Sequence, residues 1–197
     1  MSRFLESIAI VDGQIQRLRW HQERVNRTLQ AHHEGTTIDL YAHIHAQATQ
    51  QPGNVKCRVL YDREITEVQF APYTPRTIKS LRMIENNDVD YPFKFADRKV
   101  INGLFDQKGS CDDILIVKNG RITDSSIANI VFRRNDKWLT PAEPLLKGTM
   151  RAYLIEKGLV TEADIAVKDL ASFDGYKLIN ALLAFSSVEY PVSNINF

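Results

Sequence analysis

Arg121-Ile-Thr-Asp-Ser-Ser-Ile-Ala-Asn-Ile-Val-Phe132 is the stretch on which the reading of this chain turns. It starts directly after Lys118-Asn119-Gly120, a turn that ends a strand over 113–117. It runs into a strand over 129–134, which turns at Asn135-Asp136 into a further strand over 137–140. By local chemistry alone Asp124 is a turn residue following a hairpin. Beyond lie Trp138-Leu-Thr-Pro141 and Leu145-Leu-Lys-Gly-Thr-Met-Arg151, the latter entering a helix over 148–157 that Gly158 closes.

Working outward, residues 4–11 and 15–18 form a hairpin about Asp12-Gly13. Helices follow over 20–33 and 38–50, the second begun by Thr36-Thr37 and stopped by Pro52-Gly53-Asn54. Strands over 55–61 and 65–71 lead into Pro72-Tyr-Thr-Pro75, where two prolines interrupt any sheet. Next come a strand over 77–84, a helix over 95–108 and, late in the chain, strands over 179–183 and 188–192. Hairpins precede helices in both halves, so the class is α/β, or α+β mixed, in two small layered units. Their expected bounds are 1–72 and 78–197, joined by a linker over 73–77.

The 197 residues carry 25 Lys+Arg against 24 Asp+Glu, which gives no electrostatic case for nucleic acid or an anionic membrane. The longest apolar run, Ala181 to Phe185, is far too short to span a bilayer. Glu6 interrupts what would be the apolar centre of a secretory signal, so the expected location is cytoplasmic. Cys57 and Cys111 lie far apart in strand-like runs and read as small buried hydrophobes, not as a disulfide framework. The five histidines, His21, His32, His33, His43 and His45, crowd the first quarter, but His43 and His45 do not share a helix face, and no metal is expected. Phosphate-loop, nucleophile-elbow, zinc-protease and dinucleotide signatures are absent.

Schiff-base chemistry on pyridoxal phosphate needs three scattered groups. These are a lysine amine able to lose its proton, an anchor for a phosphate dianion, and a carboxylate for the pyridine nitrogen. Read with that requirement, the 121–132 stretch, Trp138–Pro141 and Leu145–Arg151 resemble the most recognisable blocks of the class IV pyridoxal-phosphate enzymes. That family comprises the branched-chain and D-amino-acid aminotransferases and 4-amino-4-deoxychorismate lyase. Lys99-Val-Ile-Asn102 resembles its Lys-x-x-Asn element, and His21-Gln-Glu-Arg24 its His-x-x-Arg element. Asn180-Ala-Leu-Leu183 with Pro191-Val192 is similar to the segment closing the phosphate site in the lyase branch. The blocks occur in the family's order over nearly the whole chain.

The resemblance implies fold type IV, with pyridoxal 5'-phosphate in a cleft between two α/β domains and a homodimer as the working unit. It implies that Lys99 forms the internal aldimine and moves the proton, that Arg24 holds the phosphate, and that Asp124 pairs with the pyridine nitrogen. Leu146 would lie against the ring, the amides of Thr149 and Met150 would donate to the phosphate at a helix start, and Asn180, Ala181 and Leu182 would complete the phosphate wall. Asn102 and Asn129 match the motifs as loop-organising residues. Asp124 stands where the family usually has glutamate, one methylene longer, and the chain is shorter than most members. Leu182 and Gly103 replace the hydroxyl residue and tyrosine of many transaminases, which tilts the reading towards the lyase branch. Three functions follow: transfer of an amino group from an amino acid to a 2-oxo acid, elimination of pyruvate from 4-amino-4-deoxychorismate, or non-catalytic binding by a protein that keeps the fold with an altered pocket.

Overall fold

The computed structural model describes residues 3–197, and the chain divides into two compact units. One runs to Pro75 and takes in Phe93–Asp97; the other comprises Arg76–Pro92 and Arg98–Phe197. Mixed helix and sheet in both gives the α/β character that the hydrophobic patterning predicts.

In the first unit β1 (Phe4–Val11) alternates strictly, with Phe4, Glu6, Ile8 and Ile10 turned inward and buried. Asp12 and Gly13 both take positive φ, 45° and 79°, as the tight hairpin turn requires. The returning strand β2 (Gln14–Ile15) is shorter than expected, because Arg17 adopts a left-handed conformation and starts α1 (Leu18–His32) immediately. The second helix, α2 (Leu40–Ala48), begins at Asp39, whose carboxylate accepts from the Ala42 amide, and not at Thr36-Thr37. β3 (Asn54–Tyr61) pairs with β1 along its full length, and β4 (Ile65–Pro72) forms the outer edge of the sheet β2-β1-β3-β4. Pro72 is tolerated there because an edge strand can lack a donor. Val25 and Leu29 of α1 and Leu40 and Ile44 of α2 pack with the inward residues of β1 and β3.

Residues 95–98, expected to open a helix, lie outside it, and the helix starts at Lys99. Leu5 N–H donates to Lys94 O at 2.9 Å, Ala96 N–H donates to Arg3 O at 2.8 Å, and Phe95 bridges to Phe4. Phe93 and Phe95 are stitched into the first unit's core around Phe4 and His32. The helix that follows is correspondingly short.

The second unit holds β5 (Leu81–Glu85), α3 (Lys99–Phe105), β6 (Asp113–Lys118), β7 (Arg121–Ser125), β8 (Asn129–Arg134), β9 (Lys137–Pro141), α4 (Thr149–Glu156), β10 (Thr161–Ala163), β11 (Gly175–Ile179), β12 (Tyr190–Pro191) and β13 (Ile195–Asn196). A parallel pair, β5 and β6, is extended by antiparallel β7, and β13 lies beside β5. β8 is the pivot. Asn129 opposes Asp124 of β7 on one side and Ile179 of β11 on the other, while Phe132 opposes Leu139 and Tyr176. β7 and β9 therefore share one flank of β8 in succession, with Asp124 of β7 in register with Asn129. The chain over 121–125 is a strand, so Asp124 belongs to a sheet and not to a turn. β11 ends at Ile179, earlier than the expected 179–183 strand, because Asn180 folds the next residues into a turn: its Oδ1 accepts from the Leu182 and Leu183 amides at 2.8 and 2.9 Å. No helix among the described residues is long and apolar enough to cross a membrane. Cys57 and Cys111 are free thiols, both buried, and burial pushes the Cys57 thiol up to about 12.

Candidate functional site

Asp124 enters the site from β7 with only 5% of its surface exposed. Its Oδ1 accepts from Asn129 Nδ2 at 2.6 Å and its Oδ2 from the Leu146 amide at 2.9 Å. Asn129 Nδ2 also donates to Leu146 O at 2.8 Å, so three residues from β7, β8 and the loop before α4 close a small polar knot. Burial raises the Asp124 carboxyl to about 7, against the lowering effect of those donors. A carboxyl poised there can hold or release a proton near neutrality.

The knot sets the entry to α4. Gly148 is its N-cap residue, and a Cβ there would come within 2.0 Å of Asn129 Oδ1, so only glycine leaves Asn129 in place. No side chain caps the helix; Thr149 and Met150, both buried, form its first turn, where amides and the helix dipole favour an anion. Arg151 is locked behind them by Pro141 O at 2.8 Å and Glu162 at 2.6 Å. On the other side of β8, Asn180 Nδ2 donates to Ile127 O at 3.2 Å, tying the turn that contains Ala181 and Leu182 to the loop joining β7 and β8. Asp124, Leu146, Thr149, Met150, Asn180, Ala181 and Leu182 thus belong to one connected framework in the second unit. Lys99 is the first residue of α3 and is exposed; its neighbour Arg98 donates to Ser126 O at 2.5 Å, which fixes that helix start to the same loop.

Arg24 lies in the first unit, buried on α1. Its Nε and Nη2 donate to Glu6 Oε1 and Oε2 at 2.7 and 2.6 Å, a bidentate pair, and His21 Nδ1 donates to Glu6 Oε2 at 2.5 Å. Burial alone would raise the Glu6 carboxyl; the Arg24 charge and the His21 hydrogen bond overcome it and hold Glu6 at about 2. His21 is pushed down, chiefly by burial, with Arg24 and Lys94 adding to the effect against the pull of Glu6, and this favours a neutral ring with its proton on Nδ1. Glu6 and His21 had no assigned part in the chemistry of the sequence motifs. The signal for Glu6 was present, as a lone acid on the inward face of the Phe4, Ile8, Ile10 alternation. Such a charge has to be met by a partner. Asn129, read as loop-organising, does organise the loop at Leu146.

The family description amino-transferase class IV matches residues 3–190. An uncharacterised protein of Haemophilus influenzae is 36% identical over 185 residues, covering 92% of this chain and 98% of that protein. A protein of Schizosaccharomyces pombe, provisionally named an aminodeoxychorismate lyase, is 37% identical over 130 residues, which span 62% of this chain and 54% of that protein. Among solved structures, one from Haemophilus somnus, provisionally named a 4-amino-4-deoxychorismate lyase, superposes with a TM-score of 0.86 at 33% identity, covering 92% of this chain and 97% of that one. A pyridoxal-phosphate-bound protein from Mycobacterium tuberculosis, described as a hypothetical aminotransferase, has a TM-score of 0.78 at 17% identity over 98% of this chain and 81% of that one, and so shares the fold.

Glu6 and Asp124, both buried, impose opposite pH dependences. Glu6 is depressed in the folded state, so the stability it confers is present above its unfolded pKa and is lost as pH falls from about 4.5 towards 2. Urea unfolding from pH 5 to 2.5 should show the wild type losing stability that Glu6→Gln, already weaker by about 3–5 kcal/mol at pH 7, does not lose. Asp124 is raised, so its protonated form is favoured on folding and stability falls as pH climbs from about 4 through 7. The stability difference between wild type and Asp124→Asn should therefore move against the wild type between pH 5 and pH 8; a constant difference would place the Asp124 carboxyl outside this range.

Proposed function

The chain belongs to the amino-transferase class IV family, a family of pyridoxal-phosphate enzymes, and on that premise we propose that it uses pyridoxal phosphate to act on a small amino substrate, with lyase-type elimination from 4-amino-4-deoxychorismate favoured over amino transfer. The observation that carries the reading is the Asp124–Asn129–Leu146 knot beside an α4 start that no side chain caps. Its donor set suits the cofactor: an acid poised near neutrality for a ring nitrogen, and helix amides for a phosphate.

When bound, the cofactor supplies an electron sink for the carbon that carries the substrate's amino group. The chain's own residues prepare for that. Asp124 holds or accepts the proton at the ring nitrogen, and Asn129 and the Leu146 amide keep its shorter side chain fixed. Leu146 covers the ring. The amides of Thr149 and Met150, with the turn built by Asn180, Ala181 and Leu182, receive the phosphate. The His-x-x-Arg resemblance implies a phosphate contact for Arg24, with Glu6 holding the guanidinium in one orientation. A lysine amine attaches the cofactor and moves a proton at the substrate carbon; the Lys-x-x-Asn resemblance nominates Lys99. The preference for elimination rests on Leu182 and Gly103 and on relatives at 33–37% identity provisionally named lyases.

The test is a pair of assays on purified protein with and without added pyridoxal phosphate. The expected result is cofactor-dependent release of pyruvate and 4-aminobenzoate from 4-amino-4-deoxychorismate, exceeding amino transfer from a panel of amino acids to 2-oxoglutarate. Faster amino transfer would reverse the preference, and no turnover of either kind by protein that retains cofactor would favour the non-catalytic reading.

A further inference from the structure

Three successive carbonyls of the loop joining β7 and β8 are each taken by a different element of the second unit. Ser126 O accepts from Arg98 Nη2 at 2.5 Å, Ile127 O from Asn180 Nδ2 at 3.2 Å, and Ala128 O from the Ser125 amide at 2.9 Å. Ser125 Oγ also accepts from the Ile127 and Ala128 amides, at 3.3 and 3.1 Å, so the loop is braced from within. Arg98 and Asn180 thus grip neighbouring peptide groups of one stiff loop. Arg98 stands where the chain passes from Asp97, in the first unit, into the second. It is the N-cap residue of α3, a helix of 7 residues with no side-chain cap, and the two residues after it, Lys99 and Val100, are exposed. A helix this short is not stable by itself. Its buried contacts come further along, from Ile101 and Leu104 against Ile114 and Ile116, so Arg98 is the tether of its first turn.

We infer that Arg98 is a positioning residue for the amine that attaches pyridoxal phosphate. By gripping Ser126 O it sets where Lys99 stands relative to the Asn180–Leu182 turn, and it governs attachment without adding to the hold on the phosphate; the inference rests on the cofactor reading above. In that molecule the aldehyde and the phosphate-bearing methylene sit on adjacent ring carbons, so the attaching amine and the phosphate ligands have to keep a fixed separation. The bridge from Arg98 through Ser126 and Ile127 to Asn180 spans these two parts of the site with two hydrogen bonds and one peptide link. A charged guanidinium donating to a carbonyl makes a strong bond, and its planar group loses little freedom in forming it. Placement matters because a displacement of about 1 Å between held reactants can cost about a hundredfold in rate. The attachment step balances without an oxidant or reductant. Neutral Nζ adds to the aldehyde carbon, the carbonyl oxygen leaves as water with the two nitrogen-bound protons, and a C=N bond remains.

The experiment compares the full chain of the wild type with Arg98→Met and Arg98→Lys, using two ligands. Attachment of pyridoxal phosphate is followed by the rise of visible absorption and by borohydride fixation with peptide mapping. Pyridoxine 5'-phosphate, which has the ring and the phosphate but no aldehyde, reports the rest of the site through its affinity, measured by calorimetry. Arg98→Met is expected to slow attachment about tenfold or more, while its affinity for pyridoxine phosphate and its thermal midpoint without ligand match the wild type. Arg98→Lys, which keeps one donor, is expected to recover part of the rate. A wild-type attachment rate in Arg98→Met would overturn the inference. So would attachment and pyridoxine phosphate affinity falling together in either variant, or failure of Arg98→Met to fold, since each makes Arg98 a general structural residue. Fixation of the wild type on a lysine other than Lys99 would overturn the inference and leave the cofactor reading intact, whereas a wild type that binds neither ligand would overturn both.

Discussion

A buried carboxyl with both oxygens occupied is the constraint on which the second unit's site depends. Asp124 sits where β7 pairs with β8, and its two hydrogen bonds reach Asn129 across the strands and Leu146 in the loop that leads to α4. Leaving such a group unpaired in a buried setting costs several kcal/mol, so strand pairing, loop path and helix start have to form together. Gly148 follows from the same demand, since a side chain there would displace Asn129. The aspartate, shorter than the glutamate usual in the family, is accommodated by bringing a backbone amide and an asparagine to it.

The first unit solves a similar problem with full charges. Glu6 points into an apolar core, and only the bidentate Arg24 and the His21 ring make that tolerable. The arrangement fixes a guanidinium that would otherwise have several rotamers.

Alternation and turn chemistry made most of the sheet legible in the sequence: β1, β3, β6, β8 and the Asp12-Gly13 hairpin lie where hydrophobic period and turn residues put them. The motif blocks likewise singled out Asp124 and Leu146, which a long-range hydrogen bond joins. What could not be read were features decided by tertiary contacts. β7 carries polar Thr123, Asp124 and Ser125 and so lacks a strand's apolar signature, yet all three are buried by neighbouring strands. The segment over 95–98 has helix-compatible residues, but Phe95 bridges to Phe4 of β1 and Ala96 N–H is held by Arg3 O, which moves the start of α3 to Lys99. The Glu6–Arg24 pair joins residues 18 apart in sequence, and neither residue alone announces the other.

The central claim is that these residues form a pyridoxal-phosphate site, and cofactor binding tests it most directly. Purified protein would be equilibrated with pyridoxal phosphate and dialysed, and the retained cofactor and its visible absorption measured for the wild type and for Asp124→Ala. The account predicts saturable, stoichiometric retention with a yellow colour in the wild type, and clearly weaker retention with an altered spectrum in the variant. Retention no greater than that of an unrelated protein, or identical affinity and spectrum in the two, would contradict it.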